Sequence, residues 1–151
     1  MSWTVTVYGT PAAKGSMKCI GGRAGRHQLV PTNRERLAPW MKILGVAAQR
    51  LAQAAGGPLD GPVGVQAAFV LDRPKSVSYA KRPWPTARDL DVDKGLRAVL
   101  DAFQPLVFGD DSQVVEALAA KYYPDSPGAP SLGRAGAVIT VWRITDDQAI
   151  C

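Results

Sequence analysis

Two short stretches concentrate the side chains that can do chemistry: Asp89-Leu90-Asp91-Val92-Asp93-Lys94-Gly95-Leu96-Arg97 and, downstream, Gly109-Asp110-Asp111-Ser112. In extended backbone, residues i and i+2 project to the same side, so Asp91 and Asp93, at a loop-to-helix junction, can face one cation. Asp110 and Asp111 stand in a turn ahead of a strand, where side chains can also reach a shared site. Carboxylate oxygens are the hard ligands that Mg²⁺ prefers, with Mn²⁺ able to substitute. Four acids brought together repel one another unless a cation neutralises them. Arg97 follows Asp93 by one helical turn on the same face, where it can orient a carboxylate or contact a phosphate. Each residue also has a plainer use. Asp93 suits a helix N-cap, Asp-Asp-Ser is ordinary turn chemistry, and Arg97 stands four residues from both Asp93 and Asp101, ready for a surface ion pair. A cap needs one acid and a turn does not require two adjacent ones. Taken together, Asp91, Asp93, Asp110 and Asp111 are candidate metal ligands and Arg97 a candidate catalytic cation. A second DxD frame, Asp89-Leu90-Asp91, stays open on spacing alone.

The charge is uneven. Net charge is +5 over 151 residues, yet residues 1–57 carry eight Lys/Arg against the single acid Glu35, and the remainder is slightly acidic. A basic front half beside an acidic site is what a nuclease needs, one to hold phosphates and the other to hold a cation. Candidate phosphate contacts are Lys14, Lys18, Arg23 and Arg26 in the first half, and Arg73, Lys75, Lys81, Arg82, Arg88, Lys94 and Lys121 in the second. His27 lies in the basic segment and is expected to be solvated or to touch phosphate rather than act as a base. Trp84, among prolines and bases, can stack on an opened base, although packing is its more ordinary use. No apolar run approaches the ~20 residues that span a bilayer, and the start lacks a basic stretch followed by an apolar one. Cys19 and Cys151 form no disulfide framework. A cytoplasmic protein without membrane association is expected.

These residues need a scaffold. The length and an apolar content of 46% fit one domain with a packed core. Trp3–Tyr8 alternates as a strand. Residues 9–36 read as a long basic, Gly-rich loop, and such loops are usually functional. A helix follows with Pro39 in its first turn; Trp40, Met41, Leu44, Ala48 and Leu51 make its stripe, and Gly56-Gly57-Pro58 ends it. Val63–Leu71 reads as a strand and residues 72–90 as a second basic loop, rich in proline. A helix from about Asp93 to Phe103 buries Leu96, Val99, Leu100 and Phe103. Leu106–Phe108 is a candidate short strand. Gln113–Tyr123 and Ala137–Ile144 read as two strands able to pair as a hairpin. The order predicts a single α/β (α+β) domain, a mixed sheet with two main helices packed on it.

The run Asp91-Val92-Asp93-Lys94-Gly95-Leu96-Arg97-Ala98-Val99-Leu100-Asp101-Ala102, followed by Gly109-Asp110-Asp111-Ser112-Gln113-Val114-Val115 and Lys121, resembles the RusA-type Holliday junction resolvases. Their signature is D-[LI]-D-N-x-x-K-x-x-x-D-A-L, a short spacer, D-D-[SA]-Q-V-V and a strand bearing a lysine. The match covers about residues 88–121, and the first 60 residues fit only loosely. The resemblance implies a small homodimeric, Mg²⁺-dependent endonuclease that binds four-way DNA junctions and nicks two opposed strands symmetrically, leaving 5′-phosphates. It needs no small-molecule cofactor. It implies that Asp91, Asp93 and Asp111 are catalytic acids with Asp110 beside Asp111, and that Arg97 stands where the family has lysine. It favours the 91/93 frame, because Arg97 and Asp101 then keep the family's offsets. Lys94 replaces the usual asparagine. The alternative reading is a protein that binds structured nucleic acid without cutting it.

Overall fold

A computed structural model describes residues 1–15, 17–21, 27–31, 34–86 and 90–148. In chain order these form β1 (Ser2–Tyr8), β2 (Met17–Gly21), β3 (His27–Pro31), α1 (Arg34–Ala55), β4 (Val63–Val70), α2 (Val92–Phe103), β5 (Val114–Tyr122) and β6 (Gly136–Arg143). The domain is mixed, a four-stranded sheet in the order β1-β6-β4-β5 with two helices on one face. β6 runs antiparallel to both β1 and β4, whereas β4 and β5 are parallel.

This order corrects the expected pairing of the last two strands. β5 and β6 are not neighbours, because β4 lies between them. Burial explains the arrangement. Six of the eight β4 residues, Val63, Gly64, Val65, Ala67, Phe69 and Val70, are buried, which suits a central strand. β5 carries Glu116 and Lys121 and exposes Val115 to Leu118, which suits an edge. The 9–36 segment also differs from expectation. It contains β2 and β3, an antiparallel pair from Met17↔Pro31 to Gly21↔His27 that forms a separate two-stranded sheet. Leu106–Phe108 contributes only a bridge between Phe108 and Leu59.

α1 begins at Arg34, so Pro39 falls in its second turn rather than its first, and its missing N–H removes the helical bond to Glu35 O. Its buried stripe is Leu37, Trp40, Leu44, Ala47, Ala48 and Leu51. Gly56 and Gly57 adopt positive φ and close the helix, the Gly57 N–H donating to Ala52 O at 2.9 Å. α2 turns Gly95, Ala98, Val99 and Phe103 inward, with Leu96 and Leu100 half-buried. Gly95 is needed for close approach, since a Cβ there would stand 3.0 Å from the Phe69 ring. On the sheet's other face the Trp142 indole lies directly over Gly64, where any Cβ would collide with it. Gly64→Ala is therefore expected to cost about 1–3 kcal/mol, as overpacking does. A fall in melting temperature that shrinks in a Trp142→Ala background is the check.

Candidate active site

The amino end of α2 is built from buried residues outward. Leu90 is fully buried, and its carbonyl accepts from Lys121 Nζ at 2.7 Å, which ties the start of the helix to β5. Asp91 follows in extended conformation (φ −82°, ψ 133°), and its carbonyl accepts the first helical bond from Gly95 N–H at 2.9 Å. Its carboxylate makes no capping hydrogen bond. It pairs with Lys94 Nζ at 3.5 Å. Asp93 stands in the first turn, exposed, and has no hydrogen-bond or ion-pair partner among the described residues. The ion-pair use of Arg97 is not realised either. Asp101 pairs instead with Lys14 at 2.9 Å, and Arg97 is exposed without an ion-pair partner among the described residues. The chain at Lys14 and Gly15 is laid against this helix. Lys14 N–H donates to Lys94 O at 3.1 Å, and a Cβ on Gly15 would meet Arg97 Nη1 at 3.3 Å. Asp91, Asp93 and Arg97 are thus side chains that the fold itself does not use for capping.

Asp110 and Asp111 divide their work. Asp110 caps the 3-10 turn Asp111–Gln113, accepting from Ser112 N–H at 2.8 Å. The Ser112 side chain and then its backbone N–H hold the Asp110 carboxyl below the ordinary aspartate range. The turn chemistry expected of Asp-Asp-Ser is present at this residue. Asp111 is exposed, and its N–H donates to Gln104 Oε1 at 3.1 Å. Gln113 clamps the turn: its amide oxygen accepts from Asp110 N–H, and its Nε2 donates to Leu59 O at 3.0 Å and Gly61 O at 2.9 Å. Sequence reasoning assigned Gln104 and Gln113 no role, although Gln113 belongs to the DDSQVV motif. Both are positioning residues.

One chain does not bring the two acid groups together. Asp91 and Asp93 are at the amino end of α2, whereas Gln104 at its carboxyl end holds Asp111. At 1.5 Å per residue, the 12 residues of α2 place them about 18 Å apart. Among the described residues no group of three or more His, Cys, Asp or Glu side chains is gathered as a metal site.

The candidate phosphate contacts also separate. Arg73 is spent inside its loop. It reaches Asp125 at 2.6 Å and Arg82 O at 2.6 Å, and its guanidinium lies 4.3 Å from the Tyr123 ring centre. Lys75 and Lys81 are exposed and Arg82 is half-buried. Lys14, Lys94 and Lys121 make the contacts given above. Arg23, Arg26, Arg88, Asp89 and the side chains of Lys18, Cys19 and His27 lie outside the described residues. Trp84 is exposed, contrary to the expected packing. No helix among the described residues is long and apolar enough to cross a membrane.

The family model "Endodeoxyribonuclease RusA" matches residues 24–130, and the chain belongs to this family of DNA-cutting enzymes. It is also 30% identical over 131 residues to the protein YqaN of Bacillus subtilis (strain 168), itself uncharacterized, covering 81% of this chain and 88% of that one.

The Arg73 guanidinium likewise holds the Asp125 carboxyl below the ordinary range. A depressed carboxyl stabilises the fold above the ordinary aspartate value of the unfolded chain, and that contribution disappears as pH falls through the depressed value. Acid melting curves of Asp110→Asn and Asp125→Asn should therefore fall less steeply than wild type in that range and run parallel to it at neutral pH.

Proposed function

We propose that the chain is a divalent-metal-dependent endonuclease that acts as a two-fold homodimer on four-way DNA and nicks two opposed strands. The observation that carries the reading is the state of Asp91, Asp93 and Arg97. In a family of endodeoxyribonucleases, two carboxylates and a guanidinium share the exposed face of one helix start without serving the fold as caps. A protein that only held DNA would gain nothing from exposed carboxylates beside phosphates.

The separation of the acids supports the dimer. β5 is an edge strand, paired on one side only, with β4, and it exposes Val115 (63%) and Leu118 (53%). α2 runs antiparallel to β5, so Asp111 precedes one end of that strand while Lys121, bonded to Leu90 O, marks the other. A second copy docked antiparallel along β5 brings Asp111 of the partner subunit to Asp91 and Asp93, twice by symmetry. The donor set is all carboxylate, which fits Mg²⁺ or Mn²⁺. Such an ion would supply an activated water and offset charge on the scissile phosphate.

The chain's own residues do the rest. Arg97 steadies the phosphoryl oxygens. Lys121 holds the backbone at Leu90, and with it the DxD, in place. Lys75, Lys81 and Arg82 grip phosphates, so binding weakens steeply with salt. The products carry 5′-phosphates.

Asp93→Asn should keep junction binding while metal-dependent nicking falls by orders of magnitude. Mixing Asp93→Asn with Asp111→Asn chains tests the shared site. In the mixed dimer one site loses both changed acids and the other keeps every native acid, so single nicks return without paired cutting. Continued inactivity of the mixed dimers would place each site within one chain.

A further inference from the structure

The connection between β4 and α2 contains no helix or strand among its described residues, yet it is heavily braced. Arg73 is its hub, bonded to Arg82 O, Pro83 O and Asp125, with its guanidinium 5.9 Å from the Tyr79 ring centre. The buried Ser126 hydroxyl donates to the same Pro83 O and accepts from Tyr123 N–H. Pro85 is buried. Turns at Val77, Lys81 and Arg82 close the remainder, each N–H finding a carbonyl three or four residues back. Between two prolines fixed in this way stands Trp84, 47% exposed, with no ring or cation partner among the described residues. Residues 72–86 contain four bases and the single acid Asp72, so the surroundings favour a polyanion.

We infer that this loop is a preformed arm that stacks an unpaired nucleobase on Trp84, so that Trp84 is what makes the protein prefer DNA with opened base pairs over continuous duplex. An indole left in water is poorly placed for stability and well placed for a π-face ligand. Backbone anchored on both sides removes most of the ordering cost of capturing it. The cations beside it hold the strand through its phosphates, while stacking recognises an exposed base of any sequence. A base within intact duplex is already stacked and gains nothing from the arm.

The inference takes only DNA binding from the reading above, not cleavage. Fluorescence anisotropy of the full chain in EDTA compares a four-way junction with duplex of the same sequence. Trp84→Ala should weaken junction binding about 5- to 150-fold, the range of base–aromatic stacking. It should leave duplex affinity and melting temperature unchanged, and Trp84→Phe should retain most of the junction affinity. Equal weakening on both DNAs, or no weakening on either, overturns the inference while leaving the nuclease reading intact. A wild-type chain that binds neither DNA fells both. Loss of nicking in Asp93→Asn has no bearing on this result, so the two readings fail separately.

Discussion

A helix of 12 residues is a rigid spacer, and here it is pinned at both ends. At its start, Lys121 reaches from the edge strand to Leu90 O; at its finish, Gln104 takes the N–H of Asp111. Gly95 sets its depth against Phe69. With those contacts made, the two acid groups have fixed positions that no loop movement can merge. The conformation of Asp91, the clamp of Gln113 on Leu59 and Gly61, and the course of the chain past Lys94 and Arg97 all follow from where α2 lies. Burial of Leu90, Val99 and Phe103 beneath it supplies the hydrophobic anchoring.

Polar groups are divided between holding the fold and meeting a ligand. Asp110, Asp101 and Asp125 each have a partner that accounts for them, namely the Ser112 N–H, Lys14 and Arg73. The basic residues split likewise. Arg73 resembles its neighbours in sequence, yet it replaces a core for a loop too polar to have one, since a planar guanidinium can satisfy a carboxylate and two carbonyls while lying over an aromatic ring.

Much of this was legible in the residues themselves. The DxD and Asp-Asp motifs fell on the predicted helix start and turn, because capping, turn chemistry and helical spacing are local. The order of the strands was not, because whether the last strand joins its predecessor or another depends on which strand needs covering on both faces. β4 is apolar except at Gln66 and buried at six of its eight positions, which marks it as the strand to be covered on both sides. β2 and β3 were hidden by glycine and basic content, which mask alternation. The role of Arg73 was invisible, since Asp125 lies 52 positions away. The distance between the acid groups could have been estimated from helix length alone, had the direction of α2 along β5 been known.

β4 and β5 are parallel, so the chain must cross from one end of the sheet to the other between them, and α2 is the return limb. The braced loop lies at the end of the sheet where β4 stops and α2 starts. Its feet are fastened independently, by Arg73 to Asp125 near β5 and by Lys121 to Leu90. Lengthening a tethered segment is thermodynamically mild, about 0.6 kcal/mol for each doubling. The architecture therefore keeps a constant engine beneath an exchangeable tool head: this stretch can be swapped for another length and chemistry without shifting the strand register or the helix it leads into.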